Sequence, residues 1–185
     1  MNNFEECLAA SHAAEDLPFW EQVYRRAFPN MVAFINHRQD GEHQRQGIDR
    51  SVILDNSKQI LIDEKVRFRN KKTDKVYTDV ALEYISNDKT KTPGWVCKPL
   101  MADYIAYAIA PIGVCYLLPV PQMQLAWSRC SDKWFAKPYP TIEAKNGKNG
   151  KLFYTTHSIC IPPKVLFTAI GNCHRIYFDA FEEQL

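Results

Sequence analysis

The sequence predicts a single α/β domain in which a central mixed β-sheet, an antiparallel meander plus further strands, is flanked by helices. Three observations predict this class. An apolar stripe at helical spacing comes first, a hairpin pattern occupies the centre, and short helical and strand-like segments then alternate. The 185 residues are 46% hydrophobic and contain no internal repeat or long linker, which favours one domain over residues 1–185.

The N-terminal part predicts two helices. Residues 4–14 are rich in alanine, and residues 17–28 place apolar side chains at helical spacing before Pro29 ends the pattern. The centre predicts strands over residues 47–54 and 59–68, joined by an Asp-Asn-Ser-Lys turn, and a third strand over 76–86. The remaining predicted elements are a helix over 100–110, a strand over 114–118, a helix over 121–129, a strand over 151–161 and a helix over 163–170.

Charge is unevenly distributed along the chain. The first 24 residues hold five acidic side chains and no lysine or arginine, although the formal net charge of the whole chain is +2. Residues 64–75 carry six basic and two acidic side chains, and residues 133–151 form a second basic stretch. Such a run is either a solvated face or a surface for an anionic partner.

Several common classes are not expected. No apolar run approaches the ~20 residues that span a bilayer, and no signal peptide is visible, so we expect a cytoplasmic protein without a membrane partner. The six cysteines form no CxxC pair and the five histidines have no H-x-x-x-H spacing, so a zinc site is not expected.

The predicted strand over residues 59–68 carries charged side chains whose arrangement indicates a catalytic site. Side chains alternate across a strand, so Asp63 and Lys65 share one face of residues 59–68, while Ile62 and Glu64 share the other. Asp49 lies on the partner strand across the hairpin. Two neighbouring carboxylates repel each other unless a cation lies between them, and Mg²⁺ or Mn²⁺ accepts such oxygen ligands.

In this interpretation Lys65 would orient or deprotonate a water molecule, or stabilise charge on a phosphate. The alternative is that Asp63 and Lys65 form an exposed ion pair worth about 0–1 kcal/mol, and that Asp49 is a turn residue. The order of the three residues and their positions on predicted strands favour a metal site over the ion pair.

The pattern Gly47-Ile48-Asp49, followed by Ile60-Leu61-Ile62-Asp63-Glu64-Lys65, resembles the signature of the PD-(D/E)XK nuclease superfamily, including its bacterial and phage members. The resemblance implies a restriction-endonuclease-like three-layer fold: a helix, a three-stranded antiparallel meander, a crossover helix and a further strand. It also implies metal-dependent hydrolysis of phosphodiester bonds, usually in DNA. Asp49 matches the first acid, Asp63 the second acid and Lys65 the lysine, whereas Ile48 replaces the usual proline.

Other members of the site are less defined. The second acid would be Glu64 if the motif were shifted by one residue, although strand alternation favours Asp63. Many members of the superfamily add a glutamate from the first helix, which Glu21 would supply unless it only pairs with Arg25, with Glu15 as the second candidate. Glu83 on the third strand is a further candidate for a metal or water ligand, unless it faces solvent.

A nucleic-acid substrate would meet the basic stretch that leaves the catalytic strand. The candidates for phosphate contacts are Arg67, Arg69, Lys71 and Lys72, and Trp95 would stack on a base. DNA is favoured over RNA by the resemblance, and a homodimer stays open. The competing interpretation is a catalytically silent module that binds nucleic acid or protein on the same fold.

Overall fold

The computed structural model describes residues 2–3, 17–37, 39–70, 73–148, 151–171 and 173–181. The chain divides into two compact units, and the assignment of residues 1–185 to one domain stays a prediction. The first, called here the hairpin unit, contains residues 12–77, 100–120 and 173–185. The other, called the second unit, contains residues 1–11, 78–99 and 121–172.

The hairpin unit is built on a six-stranded mixed sheet. Its elements in chain order are α1 (Phe19–Ala27), β2 (Met31–Asn36), α2 (Gly41–Arg45), β3 (Arg50–Leu54), β4 (Gln59–Arg67), β7 (Tyr104–Ile109), a 3₁₀ turn (Ala110–Ile112), β8 (Val114–Pro119) and β11 (His174–Tyr177). The strand order is β11-β8-β7-β4-β3-β2. β4 and β7 are parallel and the other neighbours are antiparallel, so the predicted α/β class with a mixed sheet is confirmed.

Helix α1 covers one face of this sheet. Its apolar stripe buries Phe19, Trp20, Val23 and Tyr24, and these side chains pack in one core with Ile62 of β4. Burying such a stripe is what stabilises a helix of only nine residues, because short helices are marginal in water. The helix predicted over 17–28 is therefore confirmed with slightly tighter ends.

The second unit contains a five-stranded sheet of order β1-β9-β10-β5-β6. Its elements are β1 (Asn2–Asn3), β5 (Val80–Asn87), β6 (Thr92–Pro93), α3 (Val120–Phe135, whose first residue still belongs to segment 100–120 of the hairpin unit), β9 (Thr141–Lys148), β10 (Lys151–Ile161) and α4 (Pro163–Ile170). The predictions for residues 121–129, 151–161 and 163–170 are confirmed. The helix predicted over 4–14 lies outside the described residues.

The helix predicted over residues 100–110 is wrong. Tyr104–Ile109 is strand β7, which lies between β4 and β8. Residues 105–109 are all buried, so the strand has no polar face and lacks the alternation that would have identified it. Aromatic and β-branched residues favour strands here, and a short apolar run does not distinguish a strand from a helix.

The third strand was predicted correctly in type but assigned to the wrong sheet. Residues 80–87 form β5, which pairs with β10 in the second unit. The antiparallel meander of the hairpin unit is instead β2–β3–β4, and β2 was not predicted. Between β4 and β7 the described residues form no helix, so the expected crossover helix is not found there.

A bilayer-spanning helix is also missing from the part of the chain that the structure describes, because none of its helices is both long and apolar enough.

Candidate active site

The first predicted acid lies at the start of the β3–β4 hairpin. Arg50 is opposite Ile62 in the ladder, and the Asp49 N–H donates to the Ile62 carbonyl at 2.9 Å. Arg50–Ile62 is the last pair of this ladder, and the Ile62 carbonyl also receives the Asp49 N–H, so the register shifts at Asp49 as in a β-bulge. The hairpin therefore holds Asp49 beside residues 62–64 of β4, which include Asp63.

The backbone of β4 holds the Asp49 carboxylate in place. Its Oδ2 accepts a hydrogen bond from the Glu64 N–H at 2.7 Å. Strand β3 begins only at Arg50, so no backbone carbonyl of β3 is available to the Glu64 N–H. The Asp49 carboxylate serves as its acceptor instead. This bond directs the Asp49 side chain toward β4, where its carboxyl group lies within hydrogen-bonding range of the carboxyl group of Asp63.

Asp63 is an unusual buried acid, with 4% of the residue exposed. Burial raises the pKa of Asp63 to about 7, the Lys65 ammonium opposes that shift, and the Asp49 carboxylate reinforces it. Two carboxyl groups in such contact are stable when a proton or a cation is shared between them. Near neutral pH Asp63 therefore retains a proton more readily than an exposed aspartate does.

Lys65 completes the cluster from the same strand face. Its Nζ donates to Asp63 Oδ1 and also to the Glu64 carbonyl, the latter at 3.2 Å. The Lys65 side chain is 32% exposed against 5% for Asp63, so the ammonium is accessible to a molecule in solvent. The structure brings Asp49, Asp63 and Lys65 together, and their catalytic roles stay predictions.

Glu64 points to the opposite face of the sheet. Its carboxylate accepts from Arg50 Nε at 2.7 Å and from Arg50 Nη2 at 3.4 Å, and it also accepts from the Tyr24 hydroxyl. Burial raises the pKa of Glu64 to about 7 against the lowering effects of Arg50 and Tyr24. This is a partnered group under α1, so the geometry favours Asp63 over Glu64 as the acid beside Asp49.

The two additional glutamates each have surroundings of their own. Glu21 lies on the exposed side of α1, where its Oε1 accepts from Arg25 Nη2 at 2.7 Å. Helix α1 packs on the Ile62 face of the sheet, opposite to Asp63. Glu83 belongs to the second unit, where it is half-buried on β5. Metal ligation by either glutamate stays a prediction.

The basic stretch after β4 is partly organised. The Arg67 guanidinium lies over the Tyr77 ring, 3.8 Å from its centroid, and Arg69 Nη1 lies 3.5 Å from the Asp74 carbonyl oxygen. Both arginines are half-buried. Lys71 and Lys72 lie outside the described residues, so phosphate binding by this stretch stays a prediction.

The stacking role predicted for Trp95 does not fit its burial. The residue is only 6% exposed. Its loop is tightly packed, because a Cβ added at the preceding Gly94 would lie 2.2 Å from the Glu83 carbonyl oxygen. The indole therefore serves the core of the second unit and presents no open ring face to a base.

Sequence reasoning missed a cluster of His37, Asp40 and His43. Each of these residues offers a ligand atom, and the three atoms lie within 4.8 Å of one another. The His37 N–H donates to the Asp49 carbonyl at 2.9 Å, so the cluster adjoins the start of β3. The signal in the sequence is the spacing H-x₂-D-x₂-H, which a search for H-x-x-x-H does not detect.

Comparisons of the chain with protein-family models, with curated proteins and with solved structures gave no match. The structure itself shows an α/β protein with two adjoining carboxylates and a lysine at one mixed sheet. The resemblance of the motif to the PD-(D/E)XK superfamily stays a prediction.

Proposed function

We propose that this protein is a metal-dependent nuclease that hydrolyses phosphodiester bonds in nucleic acid, with DNA favoured over RNA. The observation that carries the proposal is the cluster of Asp49, Asp63 and Lys65. Two acids from neighbouring strands adjoin each other, one of them is buried, and a partly exposed ammonium lies beside it. An ion pair serving only as surface structure requires neither burial of its own carboxylate nor a second carboxylate beside it.

The donor set fits Mg²⁺ or Mn²⁺. Asp49 and Asp63 offer hard carboxylate oxygens that repel each other when both are ionised, and a divalent cation relieves that repulsion. These two residues would hold the ion. When bound, the ion would polarise the phosphodiester and promote ionisation of a water molecule.

Lys65 supplies the remaining chemistry. Its ammonium is held next to Asp63 by a direct hydrogen bond, yet a third of the side chain reaches solvent. From there it would orient the attacking water or stabilise negative charge that develops on the phosphoryl oxygens. Glu21 is left out of the proposed site because α1 packs on the opposite face of the sheet, and Glu83 is kept only as a further candidate ligand, testable by a Glu83→Gln variant.

The order of elements in the hairpin unit supports a restriction-endonuclease-like fold. Helix α1 precedes the antiparallel meander β2–β3–β4, and β7 then lies parallel to β4. The first acid precedes the second strand of that meander, and Asp63 and Lys65 lie on its third strand. The route from β4 to β7 departs from the expected order, because it contains β5 and β6.

Arg67 and Arg69 are the proposed phosphate contacts at the end of β4. Lysine and arginine side chains that leave a catalytic strand would bind the backbone of a substrate and position it without reading its sequence. Binding through such contacts should weaken steeply as salt increases, with a slope set by the number of phosphates neutralised.

The experiment is incubation of the purified chain with plasmid, single-stranded DNA and RNA, in Mg²⁺, Mn²⁺ or chelator. Asp63→Asn and Lys65→Met should each lower the cleavage rate by at least about 100-fold. Asp55→Asn is the matched control, since it removes an exposed carboxylate at the turn end of the same hairpin. Undiminished metal-dependent cleavage by Asp63→Asn would refute the proposal.

The silent-module alternative predicts a different outcome. The wild-type chain would bind nucleic acid or protein without cleavage, and neither Mg²⁺ nor Mn²⁺ would raise its Tm. A metal that binds the native state stabilises it by mass action, so a concentration-dependent rise in Tm that is lost in Asp63→Asn favours the nuclease.

A further inference from the structure

His37, Asp40 and His43 lie together where β2 ends and α2 begins. The ligand atoms of the three side chains lie within 4.8 Å of one another, and the two imidazole rings are stacked with centroids 4.0 Å apart. Two histidines and one carboxylate are a donor set that Zn²⁺ and its first-row neighbours prefer, in contrast to the all-oxygen set of Asp49 and Asp63.

Local backbone structure brings the three residues together. The Asp40 N–H donates to the His37 carbonyl at 2.8 Å, which closes the turn after β2. Asp40 Oδ1 then accepts from the backbone N–H groups of Glu42 and His43, at 3.0 and 3.3 Å. These bonds fix the start of α2 and carry the His43 ring back over His37.

His37 is oriented by partners outside the cluster. Its Nε2 lies 2.7 Å from Ser51 Oγ, and that hydroxyl accepts from Gln59 Nε2 at 2.7 Å. Ser51 is fully buried on β3, so its position is fixed by the sheet. When Nε2 donates to this hydroxyl, the Nδ1 lone pair is left to bind a metal, which is the usual way outer partners orient a ligand histidine.

Asp40 and His43 are hydrogen-bonded where an ion would bind. His43 Nδ1 lies 2.7 Å from Asp40 Oδ2, and the side chains of His43 and Asp40 are 34% and 45% exposed. A divalent ion entering from solvent would take the place of the hydrogen between these two atoms, and the neutral His43 ring would then carry its hydrogen on Nε2. Bonds of ~2.0–2.2 Å place tetrahedral ligand atoms about 3.4 Å apart, so binding would draw the side chains together and turn the imidazoles out of their stack.

We propose that His37, Asp40 and His43 form a binding site for one Zn²⁺-class transition metal ion, with solvent as the fourth ligand. This site uses none of Asp49, Asp63 or Lys65, so it does not depend on the proposed nuclease activity.

The test is a Co²⁺ titration of the untagged full chain, followed by visible absorption and by competition with Zn²⁺. In Asp63→Asn, where the carboxylate pair of the proposed nuclease site is broken, we expect one Co²⁺ per chain with d–d bands that Zn²⁺ removes. His43→Asn should weaken the Co²⁺ affinity by more than about tenfold. Loss of an outer hydrogen-bond partner already costs at least about tenfold, and loss of a ligand should cost more. Ser51→Ala, which removes such a partner, should weaken it by about tenfold.

Two controls separate this site from others. His157→Asn, which removes a histidine of the second unit, and Asp63→Asn should both keep the wild-type Co²⁺ affinity. Circular dichroism would verify that each variant is folded, and His43→Gln provides a second variant. The proposal is overturned if both His43 variants bind Co²⁺ as tightly as the wild type, if binding is lost in Asp63→Asn, or if thiolate charge-transfer bands indicate a cysteine site.

Discussion

Strand β4 carries two adjacent acids with opposite surroundings. Asp63 and Glu64 are both buried, and burial raises the pKa of each to about 7. Glu64 is bonded to a guanidinium and a phenol beneath α1. Asp63 faces a second carboxylate and an ammonium that reaches solvent. Glu64 is thus paired within the core, whereas Asp63, one residue earlier on the same strand, lies beside another acid.

This contrast shows how burial alone fails to identify a function. On the Glu64 face, the Arg50 guanidinium donates to both oxygens of the carboxylate. These charges therefore stabilise each other inside the protein. The Asp63 side brings two acids together, an arrangement that is unfavourable unless a shared proton or a bound cation relieves the repulsion. Each acid also has one cation facing it, Arg50 or Lys65, and exchanging those cations one at a time tests the contrast directly.

The largest expected effect is on the core side. Arg50→Met should lower the free energy of unfolding by about 3–5 kcal/mol, because the buried Glu64 carboxylate loses its partner. The loss should grow as pH rises, since Glu64 must then fold in its protonated form. Urea unfolding at pH 5 and pH 8 measures both effects. A loss below about 1 kcal/mol at pH 8 would mean that this pair behaves like a surface pair.

The matched variant on the other face is Lys65→Met. Its free energy of unfolding should change by about 1 kcal/mol or less, since the ammonium is partly exposed. Its metal-dependent cleavage should fall by at least about 100-fold, whereas folded Arg50→Met should cleave within a few-fold of the wild type. Equal cleavage by Lys65→Met and the wild type would remove Lys65 from the proposed mechanism.

The Tyr24 hydroxyl sharpens the comparison on the core side. Tyr24→Phe removes one hydrogen bond to the Glu64 carboxylate and preserves the ring that packs in the core. Bonds to charged groups contribute about 1.5–3 kcal/mol, so we expect a loss near the lower value because Arg50 remains. Equilibrium unfolding measures it, and Tyr77→Phe is the control for removing a hydroxyl elsewhere in the hairpin unit. Equal losses in the two variants would contradict a special role for Tyr24.

The smallest expected effect is a gain in stability on the Asp63 side. With a folded pKa raised above the unfolded value of ~3.9, Asp63 binds protons in the native state that the unfolded chain has released. Its contribution is therefore present at low pH and lost as pH rises from about 4 to about 7. In chelator, Asp63→Asn should gain about 1 kcal/mol at pH 8, or about 2–4 °C in Tm, and nothing below pH 4. A Tm at pH 8 below that of the wild type would reverse this prediction.

Local pattern explains which parts of the fold could be predicted. The hairpin of β3 and β4 follows from β-branched residues on either side of a four-residue turn. The same alternation separates Asp63 from Glu64, whereas the contact of Asp49 with Asp63 depends on an irregular start of β3 that the pattern does not show. These inferences needed only the period of a strand and one turn, because both are properties of neighbouring residues.

Predictions that required distant partners were less successful. The run Tyr104–Ile109 was assigned to a helix because burial by β4 and β8 leaves it no polar face to reveal its period. Residues 80–87 have a strand pattern, but nothing in that pattern indicates pairing with β10. Trp95 follows a Pro-Gly pair that suggests an exposed loop, yet close packing at Gly94 buries it.

By itself, the amino-acid sequence determined the β3–β4 hairpin, the side of β4 on which each charged residue lies, and most of the helices. Those features depend on the repeat of the backbone and on steric preferences over a few residues. Only the tertiary structure decided which strands pair, how deeply Asp63 is buried, and that His37 and His43 stack beside Asp49. Burial, proton affinity and ligand geometry depend on distances to atoms of residues far away along the chain. The pattern of neighbouring residues does not contain those distances.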